Sequence, residues 1–109
     1  LIKILKNLKL LKKTIIGYGA TAKVTTILNF CKIDNSLIDY FVDTTPDKKN
    51  KYVPGTDIVV KKYNKKLINS SQYMFLGAWN FKNEIFKKER KFLKKGGRFI
   101  THIPFPRII

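Results

Sequence analysis

Cysteine, histidine and tryptophan each occur once in this chain of 109 residues, as Cys31, His102 and Trp79. One cysteine excludes an internal disulfide, and no Cys/His/Asp cluster has metal-ligand spacing. Acidic residues are also scarce, 7 against 23 Lys and Arg, so no carboxylate pair stands out for acid–base catalysis. Arginine is rare as well, at Arg90, Arg98 and Arg107 only. That weakens a nucleic-acid reading of the +16 net charge, because arginine is the better reader of base edges and phosphate forks. The lysines are spread along the whole chain, and their abundance beside Asn, Ile, Phe and Tyr has the look of a compositional bias. No apolar run approaches the ~20 residues of a membrane span, and the lysine-studded start does not form the apolar core of a signal peptide. The expected partners exclude nucleic acid and membrane, and the expected location is the cytoplasm.

What is present is a run of short apolar segments separated by helical patterns, organised around Thr14–Lys23. An apolar strand ends at Gly17-Tyr18-Gly19, and a helical pattern begins near Thr21, which can serve as N-cap. A strand, a glycine turn and a helix N-terminus form a phosphate cradle, because the first N–H groups of the helix lack internal partners and its dipole end is positive. Gly17, Tyr18, Gly19, Ala20 and Lys23 are therefore candidate ligand contacts. The dinucleotide fingerprint Gly-x-Gly-x-x-Gly is incomplete, with Ala22 at its third glycine. A plain tight turn with no ligand is the competing reading.

Along the chain, Leu1, Ile4, Leu5, Leu8 and Leu11 have helical spacing, which predicts a helix over 1–13 that packs on a sheet. Strands are expected at 14–16, 38–43, 57–60, 73–77 and 98–101. Helices are expected at 21–33, with Ala22, Ile27, Phe30 and Cys31 inward, within 61–71, and over 81–95. The last is read as one helix, with Phe81, Ile85, Phe86, Phe92 and Leu93 inside, Lys and Glu outside, and Gly96-Gly97 as the stop. Pro54-Gly55 reads as a type II turn, and Pro104 and Pro106 as the end of strand pairing. The alternation predicts an α/β fold: a Rossmann-like three-layer α/β/α domain with a mostly parallel five-stranded sheet, order near 3-2-1-4-5. The crevice of such a sheet opens at the C-terminal strand ends. Asp43 at the end of the second strand is then either a ribose acceptor or a loop cap. Trp79 either stacks on a ligand or lids the core. Asn80 either binds the ligand or caps the following helix, and His102 either shares the rim as a ligand contact or is a loop histidine.

These segments also carry a family resemblance. Gly17-Tyr18-Gly19-Ala20-Thr21-Ala22-Lys23 followed by Ile27-Leu28-Asn29-Phe30 resembles the GYGAPAKG…LLNY pattern of the C-terminal domain of nucleotide-sugar C-methyltransferases. Val42-Asp43 with Pro46 and Lys48, the Pro54-Gly55-Thr56 turn, Trp79-Asn80 with Glu84-Ile85, and Gly96-Gly97-Arg98-Phe99-Ile100 are similar to further motifs of that family, in the same order. Thr21 departs from the family's usual Pro, Val24 from its frequent Gly, and His102 from its Val/Thr-Pro segment.

The resemblance implies an S-adenosylmethionine-dependent sugar C-methyltransferase. In that family a cysteine-rich zinc domain and a methyl-donor domain precede a domain like this one, which helps hold a nucleotide-sugar, often a dTDP-linked keto sugar. The chain, which starts at Leu1 without Met, is accordingly expected to be one domain over 1–109 cut from a larger methyltransferase, with 1–13 as a leading helix or linker. On this reading S-adenosylmethionine binds outside the chain, the covalently linked upstream domain or a second copy is the protein partner, and the fragment alone does not turn over. The alternative is a small stand-alone Rossmann-like domain that binds S-adenosylmethionine or a dinucleotide.

Overall fold

The computed structural model describes residues 1–44, 51–77, 81–102 and 106–109. Its elements run α1 (Ile2–Leu10), β1 (Ile15–Tyr18), α2 (Ala22–Cys31), β2 (Tyr40–Asp43), β3 (Lys51–Tyr52), β4 (Val59–Lys62), α3 (Lys65–Ser70), β5 (Tyr73–Leu76), α4 (Lys82–Lys88), α5 (Arg90–Lys94), β6 (Arg98–Thr101) and β7 (Arg107–Ile108). The sheet is mixed and has seven strands, in the order β3-β4-β2-β1-β5-β6-β7. This corrects the expected five. From β4 to β6 every neighbouring pair is parallel. The two additions are two-residue antiparallel strands, β3 on β4 and β7 on β6. Pro106 does not end pairing as expected, because β7 follows it directly and sets Ile108 opposite Ile100.

Side chains alternate along each strand, and two cores result. Ile15, Phe41, Phe75 and Ile100 face α1 and α2, where Leu5, Leu8, Val24 and Leu28 meet them. Ile16, Val42, Met74, Leu76 and Phe99 face α3 and α5, where Ile68 and Phe92 complete the layer. Helix α1 thus packs on the sheet. Leu11, expected on its apolar stripe, is 67% exposed, because the helix has ended and Lys12 adopts φ +58°. That left-handed residue returns the Lys13 N–H to the Leu8 carbonyl. Helix α2 ends the same way at Lys32. Its inward residues are Val24 and Leu28, not Ala22 and Phe30, and Phe30 is 87% exposed. Ile27 and Cys31, also expected inward, pack half-buried against the same core. Among the described residues no helix is long and apolar enough to cross a membrane.

Two features of the sheet and helices position the site. Gly17 pairs with Phe41 on one side and Phe75 on the other. A Cβ at Gly17 would lie 2.2 Å from the Phe41 ring, so the absent side chain lets that ring cross β1. The other is at Glu89, where φ −101° and ψ 33° divide the expected single helix 81–95 into α4 and α5. The Glu89 side chain is not outside with the lysines; the residue is 1% exposed.

Gly17→Ala is expected to destabilise the chain by about 1–3 kcal/mol through overpacking. Phe41→Leu in the same chain should recover part of that loss, and a urea-denaturation double-mutant cycle measures the coupling. Additive losses would show that Phe41 is not the constraint.

Candidate functional site

The C-terminal ends of β1 and β2 open into a cleft of about 290 Å³. Tyr18 ends β1 with its ring toward the α3–α5 layer. Gly19 follows at φ +84°, a conformation that favours glycine. Its N–H donates to the Val42 carbonyl at 2.9 Å, which ties the turn to the end of β2. The next N–H, of Ala20, donates to Asp43 Oδ2 at 2.8 Å. The Thr21 hydroxyl then accepts from the Val24 N–H at 3.3 Å, the expected N-cap. The remaining walls of the cleft come from Tyr63, just after β4, and from Phe81, Glu84, Ile85 and Lys88 along α4.

Beneath the two tyrosines lies the Glu89 carboxylate. Tyr18 Oη and Tyr63 Oη each donate to Glu89 Oε2 at 2.7 Å. Lys65 Nζ donates to Oε1 at 3.0 Å and to the Lys88 carbonyl at 2.8 Å. The tyrosine rings meet edge to face, with centroids 6.2 Å apart, and Lys88 Nζ stands 4.3 Å from the Tyr63 ring centre. Burial alone raises the carboxyl pKa of Glu89, but hydrogen bonds from Tyr63, Tyr18 and Lys65 together outweigh it and hold the group below its ordinary value. Burial pushes Tyr18 far above the ordinary phenol range, and the hydrogen bond to the anionic Glu89 adds to this. Tyr63 is raised in the same way, first by burial and then by Glu89. Both phenols therefore keep their protons at neutral pH.

On the α1–α2 face of the same turn is a second hollow of about 400 Å³. Ala20, Ala22 and Thr25 line one wall, and Lys51, Tyr52, Val53 and Pro54 the other. The Gly19 turn stands between the two.

The structure therefore brings Tyr18, Gly19 and Asp43 together in the first cleft, with Ala20 on the second. Gly17 lies inside β1 as a buried packing position. Lys23 is exposed on the first turn of α2. His102 follows β6 on the same edge of the sheet, half-buried, and its Nδ1 is buried without a hydrogen-bond partner among the described residues. Trp79 and Asn80 lie outside the described residues. The sequence reading missed Tyr63, Lys65, Lys88 and Glu89. A signal for Glu89 exists, since it falls four residues after Ile85 and three before Phe92, on the inward stripe where a charge has to be paired.

A parallel α/β core with a cleft at the C-terminal strand ends defines an open-sheet α/β domain, the class in which such clefts are the usual ligand position. Residues 1–104 match the family described as the C-methyltransferase C-terminal domain, and the chain belongs to that family. It is similar to the C-methyltransferase NovU of Streptomyces niveus, with 39% identity over 97 residues. The match covers 89% of this chain and 23% of that protein, so the chain spans under a quarter of the relative's length.

Glu89→Ala leaves two phenols without their acceptor and is expected to cost roughly 2–4 kcal/mol. Because the folded pKa of Glu89 is depressed, its contribution is full above the ordinary carboxylate range and is lost as pH falls through the lower folded value. Urea midpoints measured across the acidic range should therefore fall less steeply in Glu89→Gln than in the wild type. Parallel acid slopes would count against this role.

Proposed function

We propose that this chain is the nucleotide-sugar-holding domain of an S-adenosylmethionine-dependent sugar C-methyltransferase. The observation that carries this reading is the Gly19 turn, set between two hollows at the edge of a parallel sheet, in a chain of the C-methyltransferase family. The five parallel strands β4-β2-β1-β5-β6 support a Rossmann-like reading.

A nucleotide-sugar has a base, a pair of phosphates and a polyol in linear order. The mostly apolar hollow beside Tyr52 suits the base, which would lie against the small side chains of Ala20 and Ala22. The phosphates would cross the turn, where the start of α2 and Lys23 favour negative charge. His102, on the same edge of the sheet, would contribute from the rim. The sugar would enter the cleft of Tyr18, where the carboxylates of Asp43 and Glu84 accept from hydroxyls.

The whole enzyme would remove a proton beside a keto group and methylate the resulting carbanion. This domain contributes binding and orientation, which fix the reacting carbon relative to the methyl donor. The donor supplies an electrophilic methyl group, and we place its site, and the catalytic base, in the preceding part of the enzyme. Titration separates that cofactor from the nucleotide-sugar, because Asp43 beside the Gly19 turn can accept from the hydroxyls of either.

Calorimetric titration of the chain with thymidine diphosphate glucose is expected to give saturable binding, with S-adenosylmethionine giving none. Gly19→Val forces a branched residue to φ +84° and should weaken that binding by roughly tenfold. No heat from the nucleotide-sugar at millimolar concentration, or tight S-adenosylmethionine binding, would overturn the proposal.

A further inference from the structure

We propose that Tyr18 is a specificity-determining residue whose hydroxyl oxygen serves the cleft only as a hydrogen-bond acceptor, and that Glu89 is the positioning residue that makes it so. The inference rests on the nucleotide-sugar reading above and names what the sugar must offer. A phenol has one proton. Tyr18 gives its proton to Glu89 Oε2 at 2.7 Å, and the remaining capacity of its oxygen is lone pairs. Tyr63 spends its proton on the same atom.

Glu89 cannot reverse this arrangement. It is 1% exposed, ionised and acceptor-only, and Lys65 holds its other oxygen. The Tyr18 pKa, raised chiefly by burial, keeps the phenol proton in place. Asp43 and Glu84 on the same walls are also acceptors, while Lys88 supplies a cation on the α4 wall. The Tyr18 oxygen itself therefore favours groups that donate. A sugar hydroxyl donates, whereas a phosphate oxygen, an ether or a fluorine does not. Replacing the matching hydroxyl leaves the lone pairs of a desolvated tyrosine oxygen without a donor.

The test uses monodeoxyfluoro analogues, in which fluorine keeps the size and dipole of a hydroxyl but cannot donate. Thymidine diphosphate, its glucose conjugate and each monodeoxyfluoroglucose conjugate are titrated into the wild-type chain, Tyr18→Phe and Glu89→Gln, with each variant's fold checked by amide NMR. The readout is the affinity ratio of parent to analogue within one protein, so a general loss of affinity cancels.

In the wild type at least one position should bind about tenfold more weakly as fluorine than as hydroxyl. In Tyr18→Phe that ratio should fall close to one. In Glu89→Gln the Lys65 ammonium claims the carbonyl oxygen and turns the amide nitrogen toward the tyrosines. Tyr18 then accepts from that nitrogen, its proton turns to the cleft, and the preference for hydroxyl should shrink or invert. A merely structural role for Glu89 would lower all affinities together and leave the ratio unchanged.

If every analogue binds the wild type as well as the parent does, or if the discrimination survives in Tyr18→Phe, the inference is wrong while nucleotide-sugar binding stands. If neither thymidine diphosphate nor its glucose conjugate binds the wild type, the underlying reading fails and takes this one with it. Should Glu89→Gln not fold, Tyr18→Phe decides alone.

Discussion

A carboxylate with almost no exposure has to find donors, and Glu89 finds three on three separate elements. Tyr18 comes from the end of β1, Tyr63 from the end of β4, and Lys65 from the start of α3. The backbone answers this demand with a distortion between α4 and α5 that turns a charged residue inward from a lysine-rich helix. The cluster costs desolvation, and its stability value depends on every donor being present. What it provides beyond stability is registration. One edge of the sheet, a loop and two helices are held to a common point directly under the cleft.

The opposite face is held by shape. Phe41 crosses β1 over the missing side chain of Gly17, and a Cβ at Gly77 would meet Val24 of α2 at 2.0 Å. Helix α2 can therefore sit close to the ends of β1 and β5, with its first turn beside the Gly19 loop. An Asn29 side chain then reaches from α2 to the Pro54 carbonyl at 2.9 Å and secures the Gly55 turn, whose φ of +77° is the left-handed value expected of Pro-Gly. The two hollows flanking Gly19 are thus bounded by contrasting materials, hydrogen-bonded phenols on one side and close-packed small residues on the other.

Much of this was readable in the residues. Short apolar segments mark the central parallel strands β1, β2 and β5, because a strand buried on both faces needs no alternation. Thr21 as a cap, and Gly55 and Gly96 as positive-φ positions, follow from local stereochemistry. The edge strands β3 and β7 were not readable. Two residues carry no period, and their pairing is decided by where the loops bring them. On α2 the expectation fails at Phe30, which is apolar yet 87% exposed, because hydrophobicity alone does not compel burial. Glu89 was taken for a surface charge because its partners lie 71, 26 and 24 residues away in sequence. Its place on the inward stripe hints at burial, but only the tertiary contacts reveal which groups pair with it.

The two-residue strands at both margins affect how the molecule meets its neighbours. Parallel sheets that end on a long bare strand offer a template for other chains. Here β3 and β7 reverse direction, stop after one step, and carry Lys51 and Arg107. A foreign strand approaching either margin meets a short antiparallel stub and a positive charge. That geometry discourages runaway stacking of sheets in a chain this rich in isoleucine and phenylalanine, and it leaves the mouth above Gly19 as the more inviting place for another molecule to settle.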